Sequence, residues 1–222
     1  MNRLRETRGL PSLPGRDAQS AQLVARLEEL RQLVRLMPPA TLAERAAAQF
    51  APVNGPHGEL CLTLWRAPVT VTVPEFVAHD AQHAVLSDVL QALLLYYFHT
   101  ADGAPLAGRW VSFADLPAGR MYAQAFQGYS GDALVKAFDS NLNCFKRACL
   151  AAGGHPVEAA DAAFVFLALP RVPLLVTYWL GDEDFPSACN VLFDAHATHY
   201  LPIDACAVLG GMLAARVKRM LP

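Results

Sequence analysis

Two nearly unbroken apolar runs, Ala163-Phe164-Val165-Phe166-Leu167-Ala168-Leu169 and Leu174-Leu175-Val176-Thr177-Tyr178-Trp179-Leu180, are joined by the short connection Pro170-Arg171-Val172-Pro173. Strands without the alternation of a half-solvated sheet must be buried on both faces. They therefore set a sheet centre in the second half of the chain, covered by helices on at least one side. A third strand, Asn190 to Phe193, returns after the acidic turn Gly181-Asp182-Glu183-Asp184-Phe185-Pro186. Hairpin-length links join the strands and helices come in runs between them, which predicts an α+β domain. The expected architecture is a mostly antiparallel sheet of about five strands packed with helices, preceded by an N-terminal helical extension.

The first half fits this frame. Residues 1–19 hold Arg3, Arg5, Arg8 and Arg16 among Gly and Pro and read as a flexible arm. Residues 20–50 form the helical extension, in which Leu23, Leu27, Leu30 and Val34 recur at helical spacing. A second helix is expected from Thr41, with Glu44 completing a capping box. Residues 51–222 form the single α+β domain. Glu59 to Trp65 and Val69 to Val73 predict a hairpin whose Val69, Val71 and Val73 face the core while Thr70 and Thr72 face water. Asp80 is a candidate cap for a core helix carrying Leu86, Leu90, Leu93 and Tyr97. A long helix is expected from Asp132 through Cys149, and a last one from about Ile203 with Leu209, Leu213 and Val217 on one face. Gly210-Gly211 inside that helix costs about 1 kcal/mol per residue relative to alanine, so a close helix contact or a backbone approach is expected there.

Composition narrows function by exclusion. A net charge of −2 supplies no field to attract nucleic acid, and the arginines form no stripe with aromatics. The longest apolar run, Val85 to Phe98, is interrupted by Ser87, Asp88 and Gln91, so no membrane span is expected. With no span and no signal-like opening, a cytoplasmic protein is expected. Cys61, Cys144, Cys149, Cys189 and Cys206 are odd in number and lack zinc-site spacing, which predicts free, mostly buried thiols. No GxSxG, HExxH, GxxxxGK[ST] or GxGxxG motif occurs.

Chemistry concentrates between Gly181 and Pro202. Asp182 and Asp184 share a face if their segment is extended, which suits a hard cation, or they form a solvated acidic turn. Asp194, His196 and His199 are the candidate ligands of a divalent metal. The two histidines share a face in a helix, whereas Asp194 and His196 share one in a strand. Trp110, Arg171 and Trp179, with Asp182 and Asp184, are the candidate lining of a small-molecule pocket. Cys189 beside His196 or His199 is a conceivable nucleophile without a visible third member.

The succession Leu94-Tyr96-Tyr97, Gly108 to Pro117 (GRWVSFADLP), Leu169-Pro170-Arg171-Val172-Pro173-Leu174, Gly181 to Pro186 and Leu192-Phe193-Asp194 resembles the prokaryotic family known as domain of unknown function 3786, over roughly residues 45 to 220. The resemblance implies no assigned reaction. It implies proteins of anaerobic metabolism, some joined to a cysteine-rich iron–sulfur segment, whereas this chain has no cysteine before Cys61. The expected function is a small-molecule or metal-binding module. The alternatives are a metal-assisted or thiol-dependent enzyme using residues 181–202, and an accessory factor that binds a protein partner through the arginine-rich arm and the Leu23 to Val34 helix.

Overall fold

The computed structural model describes residues 16–54 and 57–221, so Arg3, Arg5 and Arg8 of the expected arm lie outside the described residues. Helix α1 (Arg16–Val34) begins inside the stretch read as an arm, and it buries the Leu27, Leu30 and Val34 stripe. Helix α2 (Pro39–Arg45) starts with proline in its first turn and has no side-chain cap. The Thr41–Glu44 capping box does not form, because Pro39 with its fixed φ has already begun the helix two residues earlier.

Strands β1 (Gln49–Asn54), β2 (His57–Leu64), β3 (Ala67–Val73) and β4 (Ala78–His79) form a four-stranded antiparallel sheet in that order. Trp65 and Arg66, both at positive φ, make the two-residue turn between β2 and β3 that right-twisted hairpins favour. Val69, Val71 and Val73 are buried and Thr70 and Thr72 are not, as their alternation requires. Asp80 does not cap the next helix. Its carboxylate accepts from the backbone N–H of Gln82 and Ala84 and closes a turn of its own. Helix α3 (Asp88–Thr100) starts after Ser87 and packs against α1.

The second sheet has five antiparallel strands in the order β5-β9-β8-β7-β6: β5 (Trp110–Ser112), β6 (His155–Val157), β7 (Ala162–Leu169), β8 (Val172–Trp179) and β9 (Ala188–Asp194). At its centre, β8 is buried at every residue from Val172 to Tyr178. The double burial inferred from its unbroken apolar run is therefore present. One cover is helical, made of α4 (Ala123–Tyr129), α5 (Gly131–Phe138), α6 (Leu142–Ala151) and α7 (Ile203–Lys218), with α5 against β9 and α6 against β7. The first sheet meets the second through β2 and β7, and the Trp65 N–H donates to the Ala168 carbonyl at 2.8 Å.

The helix expected from Asp132 to Cys149 is two. Asp139 and Ser140 both take positive φ, the Ser140 N–H donates to the Tyr178 hydroxyl, and the Asn141 side chain caps α6 by accepting from the Cys144 N–H. Gly210 in α7 is the close contact its sequence implied. A Cβ there would lie 2.5 Å from the Phe126 ring. That ring is stacked on Phe113 at 4.3 Å and tilted against Phe193, so it has nowhere to retreat. Gly210→Ala is thus expected to destabilise the protein by up to about 2 kcal/mol, because overpacking of about 1–3 kcal/mol outweighs the gain of about 1 kcal/mol in helix propensity. Urea unfolding checks it, and an unchanged or raised midpoint would refute the packing argument.

Candidate functional site

The strands divide the residues singled out in the sequence between two ends of one sheet. Arg171 lies in the turn before β8, while Trp179 closes β8 and faces Ala188 at the start of β9. At about 3.3 Å per residue, Pro173 and Trp179 are roughly 20 Å apart. Asp182 and Asp184 follow Trp179 at the far end, whereas Trp110 pairs with Asp194 near Arg171. Trp110, Arg171, Trp179, Asp182 and Asp184 therefore do not line one pocket.

The acidic segment is folded rather than extended, so Asp182 and Asp184 do not project together. The Asp182 carboxylate accepts from the backbone N–H of Asp184 at 2.9 Å and Phe185 at 2.8 Å. Ser187 and Asp161 complete the connection by accepting from the N–H groups of Gly181 and Leu180. These contacts occupy the segment with its own backbone.

The other end is different. The Tyr97 side chain of α3 is fully buried; its hydroxyl donates to the Ala46 carbonyl at 2.7 Å and accepts from the Arg171 N–H at 3.2 Å. Tyr200 stacks on Tyr97 with ring centroids 5.7 Å apart, and its hydroxyl donates to the Ala104 carbonyl. Burial raises the Tyr200 hydroxyl above its ordinary pKa; the Arg171 charge opposes this, and the carboxylates of Asp102 and Asp194 add to it. Three charges thus surround one phenol. Arg171 itself forms no ion pair among the described residues, and its buried Nε has no hydrogen-bond partner.

Asp194, at the end of β9, is 3% exposed. One carboxylate oxygen accepts from the N–H groups of Ala107 and His196, the other from Gly108. Its acceptor capacity holds the 101–109 loop in place. The turn that follows, Ala197–His199, is a single 3₁₀ turn that brings His196 and His199 to one side, with ring centroids 4.7 Å apart. His196 Nδ1 meets the Pro105 carbonyl at 2.8 Å and His199 Nδ1 meets the Asp102 carboxylate at 2.6 Å. That contact, with a further N–H from Ala104, holds Asp102 below the usual carboxylate range. Among the described residues, no three His, Cys, Asp or Glu side chains converge as a metal site.

Cys189 is the second residue of β9 and Asp194 ends it, which separates that thiol from the histidine end of the strand by roughly 17 Å. It is 1% exposed, and burial pushes its pKa far above the ordinary thiol value, so it offers no thiolate nucleophile. Asp102, Tyr97 and Tyr200 were not singled out in the sequence. A carboxylate 97 positions from its histidine leaves no local signal. Clefts lie elsewhere on the surface, among them one between α6 and the β6–β7 connection and one between α1, α3 and α7.

A family model described as a domain of unknown function (DUF3786) matches residues 38–216. No curated protein and no solved structure matches the chain.

Proposed function

Because the chain belongs to the DUF3786 family, whose description carries no activity, we propose a function from its own residues: it is a module that binds a small anionic molecule, anchored by Arg171. The observation that carries the reading is the buried, unpartnered Nε of Arg171. A buried N–H without an acceptor costs about 1–3 kcal/mol, and native proteins leave few such groups. A carboxylate or phosphate that met the guanidinium, once the side chain turned Nε out of its enclosure, would satisfy Nε and a terminal nitrogen together, the bidentate geometry in which arginine binds anions best. The position is prepared for this. The turn is flanked by Pro170 and Pro173, and its backbone N–H donates to the hydroxyl of the buried Tyr97, on which Tyr200 is stacked.

Arg171→Met tests the reading with two opposite effects. Removing an unpaired buried polar group is expected to raise the stability of the ligand-free protein by about 1–3 kcal/mol while removing anion binding. Native mass spectrometry of protein taken from expressing cells reads the first binding outcome, as a retained small anion lost in the variant. Titration of the full chain with succinate and with inorganic phosphate reads the second. A variant that is less stable than the parent and retains the same bound species would make Arg171 a packing residue and end the proposal.

A further inference from the structure

We infer that His196 and His199 form a two-histidine platform for a divalent transition-metal ion of the zinc or nickel kind, bound through both Nε2 atoms with water in the remaining positions. The inference is independent of the anion reading at Arg171.

It begins with hydrogen positions fixed by chemistry. The Pro105 carbonyl can only accept, so His196 Nδ1 must carry its hydrogen to bond it at 2.8 Å. The Asp102 carboxylate likewise accepts, so His199 Nδ1 carries the hydrogen of that 2.6 Å contact. In each neutral ring the lone pair is therefore on Nε2. Neither Nε2 has a hydrogen-bond partner among the described residues. If the rings served only to pin the loop, nothing would require both to use the same nitrogen.

Metal-ligating histidines almost always donate their second N–H to a carboxylate or a backbone carbonyl, which fixes the tautomer and strengthens the donor nitrogen. Here the pair has one acceptor of each kind. The ring centroids lie 4.7 Å apart with the planes tilted by 50°, so the two imidazoles are neighbours without flat stacking. Half-exposure of His199 keeps the pair open to an entering ion. Two imidazoles select borderline ions such as Zn²⁺ or Ni²⁺ over Mg²⁺ and Ca²⁺, which require oxygen ligands. Asp194 is not a ligand in this site, because its two oxygens already accept three backbone N–H groups.

Titration of the full chain with Zn²⁺, and with Co²⁺ as an absorbing substitute, is expected to give one equivalent of bound ion. His196→Ala and His199→Ala should each lower the affinity by about 100-fold or more. Asp102→Asn, which removes the charge of the acceptor without touching a ligand, should lower it about 10–100-fold. Arg171→Met should leave it unchanged, which separates this site from the anion reading. Should an alanine variant fail to fold, long-range ¹H–¹⁵N spectra of the parent protein decide the matter, since Zn²⁺ must shift Nε2 of these two residues. Shifts confined to His57, His79, His83, His99 or His155, or equal affinity in the Asp102→Asn protein, would overturn the proposal.

Discussion

Between pH 9 and pH 11 the protein is expected to lose on the order of 10 kcal/mol of stability and to unfold. Cys149, Cys189 and Cys206 are free thiols, each at most 1% exposed, and burial pushes all three upward, Cys206 to about 12 and the other two further. Burial raises the fully enclosed Tyr97 hydroxyl in the same way. In the unfolded chain thiols ionise near pH 8.5 and a tyrosine near 10, whereas the native protein keeps these protons. Above pH 9 the unfolded state therefore binds fewer protons than the native state, and stability falls as pH rises. Each group contributes about 1.4 kcal/mol per pH unit once its unfolded value is passed. The sum by pH 11 is comparable with the 5–15 kcal/mol that holds a typical domain together. Urea midpoints measured under reducing conditions from pH 8 to 11 should fall steeply. A flat profile would mean that the thiols ionise within the native protein, contrary to their burial.

Asp194→Ala is expected to cost about 3–5 kcal/mol, a large effect for one residue at the end of a strand. The substitution leaves the N–H groups of Ala107, Gly108 and His196 without an acceptor at once. Bonds to a charged acceptor are each worth about 1.5–3 kcal/mol, and part of that loss is recovered as the freed loop turns its amides to water. Asp194→Asn should fall between the parent and the alanine variant, because its amide nitrogen opposes an N–H it formerly accepted from. The readout specific to this cause is hydrogen exchange. Ala107 and Gly108 should lose protection, while the central β8 amides keep theirs at the new global limit. If the variant loses less than about 1 kcal/mol with both amides still protected, the carboxylate is not what holds the loop.

Much of the fold was legible because the residues involved act over short distances. The alternation of Val69, Val71 and Val73, the Leu27 to Val34 stripe and the unbroken β8 run each state a period or a burial that the chain adopts. Legibility failed where two local signals competed. Asp139-Ser140-Asn141 is a turn signal inside an apolar pattern of helical period, and the left-handed conformation of its first two residues divides one expected helix into α5 and α6. Asp80 had the right chemistry for a cap but spent it on its own turn.

The site was legible only in part, because its grouping depends on the second sheet's register. His196 and His199 could be placed together from their spacing, given a helical turn. The register set Trp179 and the acidic turn at the opposite end from Arg171, and no spacing rule contains that information. What distinguishes Arg171 is the absence of a partner, a property of everything around it rather than of the turn that carries it.

The two sheets also differ in when they can form during synthesis. All four strands of the first lie between Gln49 and His79, joined by local turns, so that sheet can assemble once this short stretch has emerged. The second cannot be completed in the same way, because Asp194 engages Ala107 and Gly108 from 87 and 86 positions away. Closing so distant a loop delays contact formation in proportion to its topology. The nascent chain must therefore carry the 101–109 loop and β5 unclamped until β9 has left the ribosome. The clamp can close only after both of its ends have emerged, and in that sense Asp194 is a lock on a finished structure.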